Sequence, residues 1–153
     1  MDIGLSVSRV GGKAQAPILR ELAENLRLDY AQFLEVELFT RFSTTLDPRT
    51  QAQIDHGRRI RAILTQAQYV PLSLAHETAE LLALHEGRLD TLPLDRMETF
   101  KRQLPEWLDQ HCKGVLERLA TERQLGQNER SQLSAAIAAL VETLKPASTE
   151  AKA

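Results

Sequence analysis

Residues 17–42 read PILRELAENLRLDYAQFLEVELFTRF. Apolar side chains recur there at helical spacing: Ile18, Leu22, Leu26, Tyr30, Phe33 and Leu34 form the main stripe, and Leu38, Phe39 and Phe42 extend it. Glu and Arg fill the other faces. Pro17 suits a first helical turn, where its missing N–H is not needed. The stretch predicts one long amphipathic helix, long enough to be the backbone of a helical domain.

Downstream the pattern repeats in shorter units. Ser43-Thr44-Thr45-Leu46 interrupts it, and Asp47-Pro48 opens a second helix as N-cap and first helical residue. That helix reaches about Thr65 and carries Ile54, Ile60, Ile63 and Leu64. Gly57 inside it weakens the helix by about 1 kcal/mol relative to Ala, which predicts close packing at that point. Residues 66–72 are a connector stopped at Pro71. Ser73 caps a third helix to about Glu86, burying Leu74, Leu81, Leu82 and Leu84, with Gly87 as its stop. After a loop, Asp95 is expected to cap a fourth helix with Met97, Phe100, Leu104, Trp107 and Leu108, which Pro105 should kink or divide. Val115, Leu116 and Leu119 continue the stripe to Gly126. Asn128 is expected to cap a last helix carrying Leu133, Ile137, Leu140, Val141 and Leu144. Residues 17–145 thus read as an all-α bundle of five to six helices, and residues 146–153, small and polar, as a disordered tail.

Upstream the signal changes. Ile3, Leu5, Val7 and Val10 alternate with small polar residues, which predicts a β-strand broken by Gly11-Gly12. No second strand is legible, and one strand cannot satisfy its own backbone groups. Residues 1–16 are therefore expected to be an orphan strand and glycine turn, the end of a preceding domain in a longer parent protein. Arg9 would then sit at a strand end beside a turn, where active-site residues of α/β folds tend to lie.

Composition excludes several classes. The chain has 153 residues, 42% hydrophobic, with a formal net charge of −2. That is enough for one cored domain, and it gives no field that would favour nucleic acid. No apolar run approaches the roughly 20 residues that span a bilayer, so no direct membrane insertion is expected. A single cysteine, Cys112, rules out an internal disulfide. His56, His76, His85 and His111 form no H-E-x-x-H pair, and neighbouring His111 and Cys112 point in different directions on a helix, so no metal site is expected. Gly11-Gly12-Lys13 lacks the spacing of a phosphate loop. Arg58, Arg59 and Arg61 read as a solvated helix face before they read as an anion grip. The chain alone is not expected to be an enzyme.

Gly4-Leu5-Ser6-Val7-Ser8-Arg9-Val10-Gly11-Gly12 with Ala14-Gln15, then Leu26-Arg27-Leu28-Asp29, Ala31-Gln32, Leu46-Asp47, Gln66, Gln68-Tyr69 and Pro71-Leu72, resemble in order and spacing the alpha subunits of F-type ATP synthases. The resemblance covers residues 3–144, more loosely after Leu94, and falls on the end of the nucleotide-binding domain and the C-terminal helical domain. It implies a fragment of the regulatory, non-catalytic subunit of a rotary complex that couples ATP synthesis or hydrolysis to ion transport, commonly of hydrogen ions. By the same resemblance Arg9 is an arginine finger acting in the neighbouring beta subunit's catalytic site. Gln66 and Gln68 would face the adenine of the subunit's own non-catalytic nucleotide. Phe42, Ser43, Thr44, Thr45, Leu46 and Asp47 would form the turn facing the central gamma rotor. ATP or ADP with Mg belongs to the full-length parent, and no cofactor is expected in this fragment. The implied location is peripheral, on the cytoplasmic face of the bacterial inner membrane.

Lys13, Arg88, Pro17, Pro105 and Ser43-Thr44-Thr45 depart from the family's usual residues and imply a divergent bacterial branch. A reading from another class is a free-standing helical adaptor that binds a partner through a groove, for which residues 3–10 would have no use.

Overall fold

The computed structural model describes residues 9–40, 47–65 and 71–145; for Arg9, Val10, Gly12, Phe39 and Thr40 it describes the backbone alone. Among the described residues there are seven α-helices and no strand. They are α1 (Arg9–Ala14), α2 (Pro17–Thr40), α3 (Pro48–Leu64), α4 (Leu74–His85), α5 (Met97–His111), α6 (Lys113–Glu122) and α7 (Gln127–Leu144), with a 3-10 turn over Leu94–Arg96 leading into α5. Helix α2 packs along α3 and α4, α5 lies on α7, and α4 also meets α6 and α7. Helix α4 is thus the shared partner of both halves. The expected helical class is observed. The expected tail, 146–153, lies outside the described residues.

The apolar stripes close on one another as their spacing requires. Leu22, Phe33, Ile54, Ile60, Leu82, Phe100, Leu104, Leu133 and Ile137 are at most 2% exposed. On α2 the buried run is Ile18, Leu22, Leu26, Tyr30 and Phe33, with Leu34 partly covered. Leu38, expected to extend that run, stays 60% exposed. Gly57 fulfils its expectation: a Cβ placed there would lie 2.0 Å from Phe33 Cγ, so α2 and α3 approach as closely as they do because the side chain is missing.

Three helix ends follow the sequence. The Asp47 carboxylate accepts from the N–H groups of Arg49 and Thr50 at 3.0 Å each, and bonding to Thr50 holds its carboxyl below the usual carboxylate range. Ser73 Oγ accepts from the His76 N–H. Gly87 takes φ +65°, and the Gly87 and Arg88 N–H groups return to the carbonyls of Leu84 and Ala83 at 3.0 and 2.9 Å. Those two bonds satisfy the last carbonyls of α4, and the left-handed backbone favours glycine.

Four expectations are corrected. Asp95 caps nothing: it lies inside the 3-10 turn that starts when the Arg96 N–H bonds the Pro93 carbonyl, and α5 begins at Met97. Asn128 is already helical, because the Arg130 N–H bonds the Gly126 carbonyl at 2.9 Å and starts α7 at Gln127. Of the two outcomes expected at Pro105, a kink or a division, the division does not occur, because α5 runs unbroken through it. It removes one backbone bond at a cost of about 3 kcal/mol, but Leu104 and Leu108 beside it are fully buried and offset that by ~1.5–3 kcal/mol each. The break comes at Cys112 instead. Finally, Arg9 and Val10 are helical where a strand end was expected, and Gly11-Gly12 continue the helix rather than turn. Coiling gives the segment its own partners, the Gln15 N–H bonding the Gly11 carbonyl at 3.2 Å. Residues 1–8, the remainder of the expected strand, lie outside the described residues.

Side chains then tie the layers. Arg130 Nε donates to Glu86 at 3.2 Å and its Nη1 to Glu21 at 3.4 Å. The Ser134 hydroxyl donates to Glu86, and Arg88 Nε donates to Ser134 Oγ at 3.0 Å. Burial pushes the Glu86 carboxyl up, but the bonds from Ser134 and Arg130 outweigh it and hold the group below its ordinary value. Arg130 thereby joins α7 to Glu21 of α2 and to Glu86 at the end of α4, and Arg88 is part of the joint through Ser134.

Candidate functional site

Arg9 opens α1, and its side chain lies outside what the structure describes. Gln66 and Gln68 lie outside the described residues, as do Phe42, Ser43, Thr44, Thr45 and Leu46. Asp47 is described, and its carboxylate is occupied in capping α3. What the structure supplies is the frame around the two glutamines: the end of α3 at Leu64 and Thr65 on one side, Pro71 and the Ser73-capped α4 on the other.

That frame borders a cavity of about 270 Å³. Gln15, just past α1, lines it together with Leu19 and Ala23 of α2. The other wall is Ile63 and Leu64 of α3 with Glu77, Glu80 and Leu81 of α4. Glu80 is 5% exposed. Burial raises its carboxyl, Lys101 draws it partly back and Glu77 raises it again, leaving it at about 7. Lys101 itself is engaged elsewhere, its Nζ donating to the carbonyls of Ala62 (3.1 Å) and Thr65. It thereby closes the C-terminus of α3, where a cation is favoured.

A raised carboxyl has a defined effect on stability. The folded chain holds the Glu80 proton up to about pH 7, whereas an unfolded one releases it near 4.3. The contribution is therefore fully favourable below the unfolded value and is lost as pH rises to the folded one. Relative to the neutral group, the ionised one is worse by ~3–4 kcal/mol above that point. Glu80→Gln is expected to raise Tm at pH 8 and to leave it unchanged near pH 4, as calorimetry across that range would register; equal shifts at both pH values would show that burial does not perturb this group. Sequence reading missed Glu80. Its signal was spacing, since Ala83 and Leu84 stand three and four residues on and are both buried.

The other polar clusters are structural. Arg59 donates through Nε and Nη2 to the Leu92 carbonyl at 3.2 and 3.1 Å. Arg61 forks onto Glu37 at 3.1 and 2.8 Å and lies over the Phe33 ring. Arg58 pairs with Asp55 at 3.6 Å. Arg59 thus ties α3 to Leu92 and Arg61 ties it to α2, while Arg58 is paired within α3 itself. His56 bonds Asp90 at 2.9 Å, which raises its pKa. His76 lies between Ser73 and Asp109. Burial pushes the Cys112 thiol up, away from the thiolate. Among the described residues no three His, Cys, Asp or Glu side chains cluster as metal ligands. Nor is any described helix long and apolar enough to cross a membrane.

Against known families, residues 15–140 match the family described as ATP synthase alpha/beta chain, C terminal domain. The chain belongs to that family. The match takes in α2 to α6 and α7 as far as Leu140. Curated relatives agree. The chain is 47% identical over 142 residues, 93% of its length, to ATP synthase subunit alpha 2 of Burkholderia thailandensis, covering 25% of that protein. It is 44% identical over 154 residues to ATP synthase subunit alpha 3 of Paraburkholderia xenovorans, covering 99% of the chain and 28% of that protein. To ATP synthase subunit alpha 2 of Burkholderia pseudomallei it is 49% identical over 123 residues, 80% of the chain and 18% of the relative. The chain thus spans about a quarter or less of these relatives, all of them alpha subunits. Residues 15–140 of this C-terminal alpha-subunit domain are family sequence, so the free-standing adaptor is not favoured.

Proposed function

We propose that this chain acts as the C-terminal helical portion of the alpha subunit in an F-type ATP synthase, a peripheral complex whose ATP turnover is coupled to ion transport. The observation that carries the reading is identity of 44–49% to subunits named alpha over 80–99% of the chain. The chain contributes no complete nucleotide site of its own. ATP or ADP with Mg is held in the parent assembly, Gln66 and Gln68 offering amide donors and acceptors to the adenine edge of the subunit's own nucleotide. Arg9 reaches the neighbouring beta subunit's nucleotide, where a permanently charged planar fork suits phosphate oxygens. The turn from Phe42 to Asp47 faces the gamma rotor. The bundle described above suits a lever: α4 joins both halves, and the Glu86 network links α2 to α7 across it.

A chimera tests the reading. This chain replaces the matching quarter of the Burkholderia thailandensis subunit, and the alpha, beta and gamma subunits are co-expressed. The expected product is an assembled complex with ATP hydrolysis within about tenfold of the parent. A chimeric subunit that folds but is never incorporated would overturn the proposal.

A further inference from the structure

We propose that the cavity between α2, α3 and α4 is a binding site for a small organic cation, a primary ammonium on a short apolar stem, with Glu80 as its counter-ion. Leu19, Ala23, Ile63, Leu64 and Leu81 give the cavity mostly apolar walls, and Glu80 and Glu77 give it one sign of charge. Glu80 is 95% buried, yet its carboxylate takes part in none of the hydrogen bonds or ion pairs of the described residues. Among the described residues no buried side-chain oxygen is sealed without a partner, and Glu80 lines the cavity, so its carboxylate opens onto the cavity rather than into packed atoms. A carboxylate so placed is costly unless something completes it.

The obvious internal partner is committed elsewhere. Lys101 acts on Glu80 through space, but its ammonium is bonded to the carbonyls that end α3. Glu77 is the other charged group that bears on Glu80, and it favours a cation. The lining residues of α2 and α3 carry no charge, and Gln15 beyond α1 adds a neutral amide. An anion is disfavoured by both carboxylates, and a neutral apolar guest would leave Glu80 uncompensated. Size agrees with the chemistry. An apolar cavity of about 150 Å³ holds benzene, so 270 Å³ admits a stem of about six carbons.

The site is linked to protons. An alkylammonium stays charged across the neutral range, whereas Glu80 must release its proton to receive it. With the carboxyl at about 7, affinity falls about tenfold from pH 8 to pH 6. Each methylene of the stem strengthens binding about fourfold while it remains inside.

The 153-residue chain, with glutamate carboxyls labelled in carbon-13, is titrated with n-hexylammonium and with n-hexanol at pH 8 and pH 6, and Glu80 is followed by NMR. The expected result is saturable binding of n-hexylammonium at least about tenfold tighter than n-hexanol at pH 8, weakening about tenfold at pH 6. Glu80→Gln should abolish the preference and its pH dependence. Ala23→Leu, which fills the cavity and leaves Glu80 in place, should block binding of both probes. Equal binding of alcohol and amine, a preference that survives Glu80→Gln, binding that survives Ala23→Leu, or the lack of any saturable shift would each overturn the site.

Discussion

Arg9→Lys in the assembled parent enzyme is expected to lower multisite ATP turnover by ~10³ or more while subunit composition stays unchanged. The substitution keeps the positive charge, so long-range attraction between subunits survives. It removes the planar fork that can hold two phosphate oxygens at once and stabilise charge as it spreads over the transferred group. A point charge on a flexible stem lacks that fixed geometry. Steady-state hydrolysis by complexes purified to equal subunit stoichiometry measures the effect. Near-normal turnover would remove Arg9 from the catalytic reading, and loss of assembly would instead assign it to the interface. In this chain Arg9 begins α1, so an Arg9→Lys complex with normal helical content would also separate its chemistry from its place in a helix.

How much of this was legible beforehand depends on the range of the interaction. Asp47, Ser73 and Gly87 were readable because a cap is made within four residues of itself, by a side-chain oxygen or a left-handed backbone. Asp95 and Asn128 have the same chemistry and misled. At Leu94–Arg96 a tighter turn took the place of a cap, and at Gly126 an extended backbone began α7 with no side-chain cap at all. Pro105 misled for the opposite reason, since tertiary burial of Leu104 and Leu108 outweighed a local penalty. Arg9 and Val10 read as strand by alternation, a signal that presumes a neighbouring strand to bond. Of the candidate cavity only the inward spacing of Glu80 was legible. The cavity depends on Glu80 in α4 and on Lys101 turning to α3 rather than to Glu80, a choice between partners that no spacing encodes.

Gly57→Val should be the most damaging single change in the bundle, at a cost of roughly 4 kcal/mol or more. A Cβ at position 57 would meet Phe33 Cγ at 2.0 Å, Cδ2 at 2.2 Å and Cβ at 2.5 Å. The ring atoms alone could swing aside. The Phe33 Cβ cannot, because it is fixed to the α2 backbone, so the two helices must separate. Separation loosens Ile54, Ile60 and Leu22, which are buried in the same core, and valine's branch adds bulk and stiffness at χ1. Gly57→Ala should cost less, about 2 kcal/mol, since its clash is smaller and part is returned by alanine's better helix propensity. The cycle with Phe33→Ala distinguishes a steric cause from a backbone one. Phe33→Ala alone loses about 3–5 kcal/mol of ring packing. If the clash is steric, Gly57→Val added to Phe33→Ala should cost much less than it does in the native chain, a coupling of at least ~1 kcal/mol. Urea unfolding of the four proteins gives the answer. Strict additivity would mean that position 57 needs glycine for some reason other than the approach of Phe33, and the close crossing of α2 and α3 would lose its explanation.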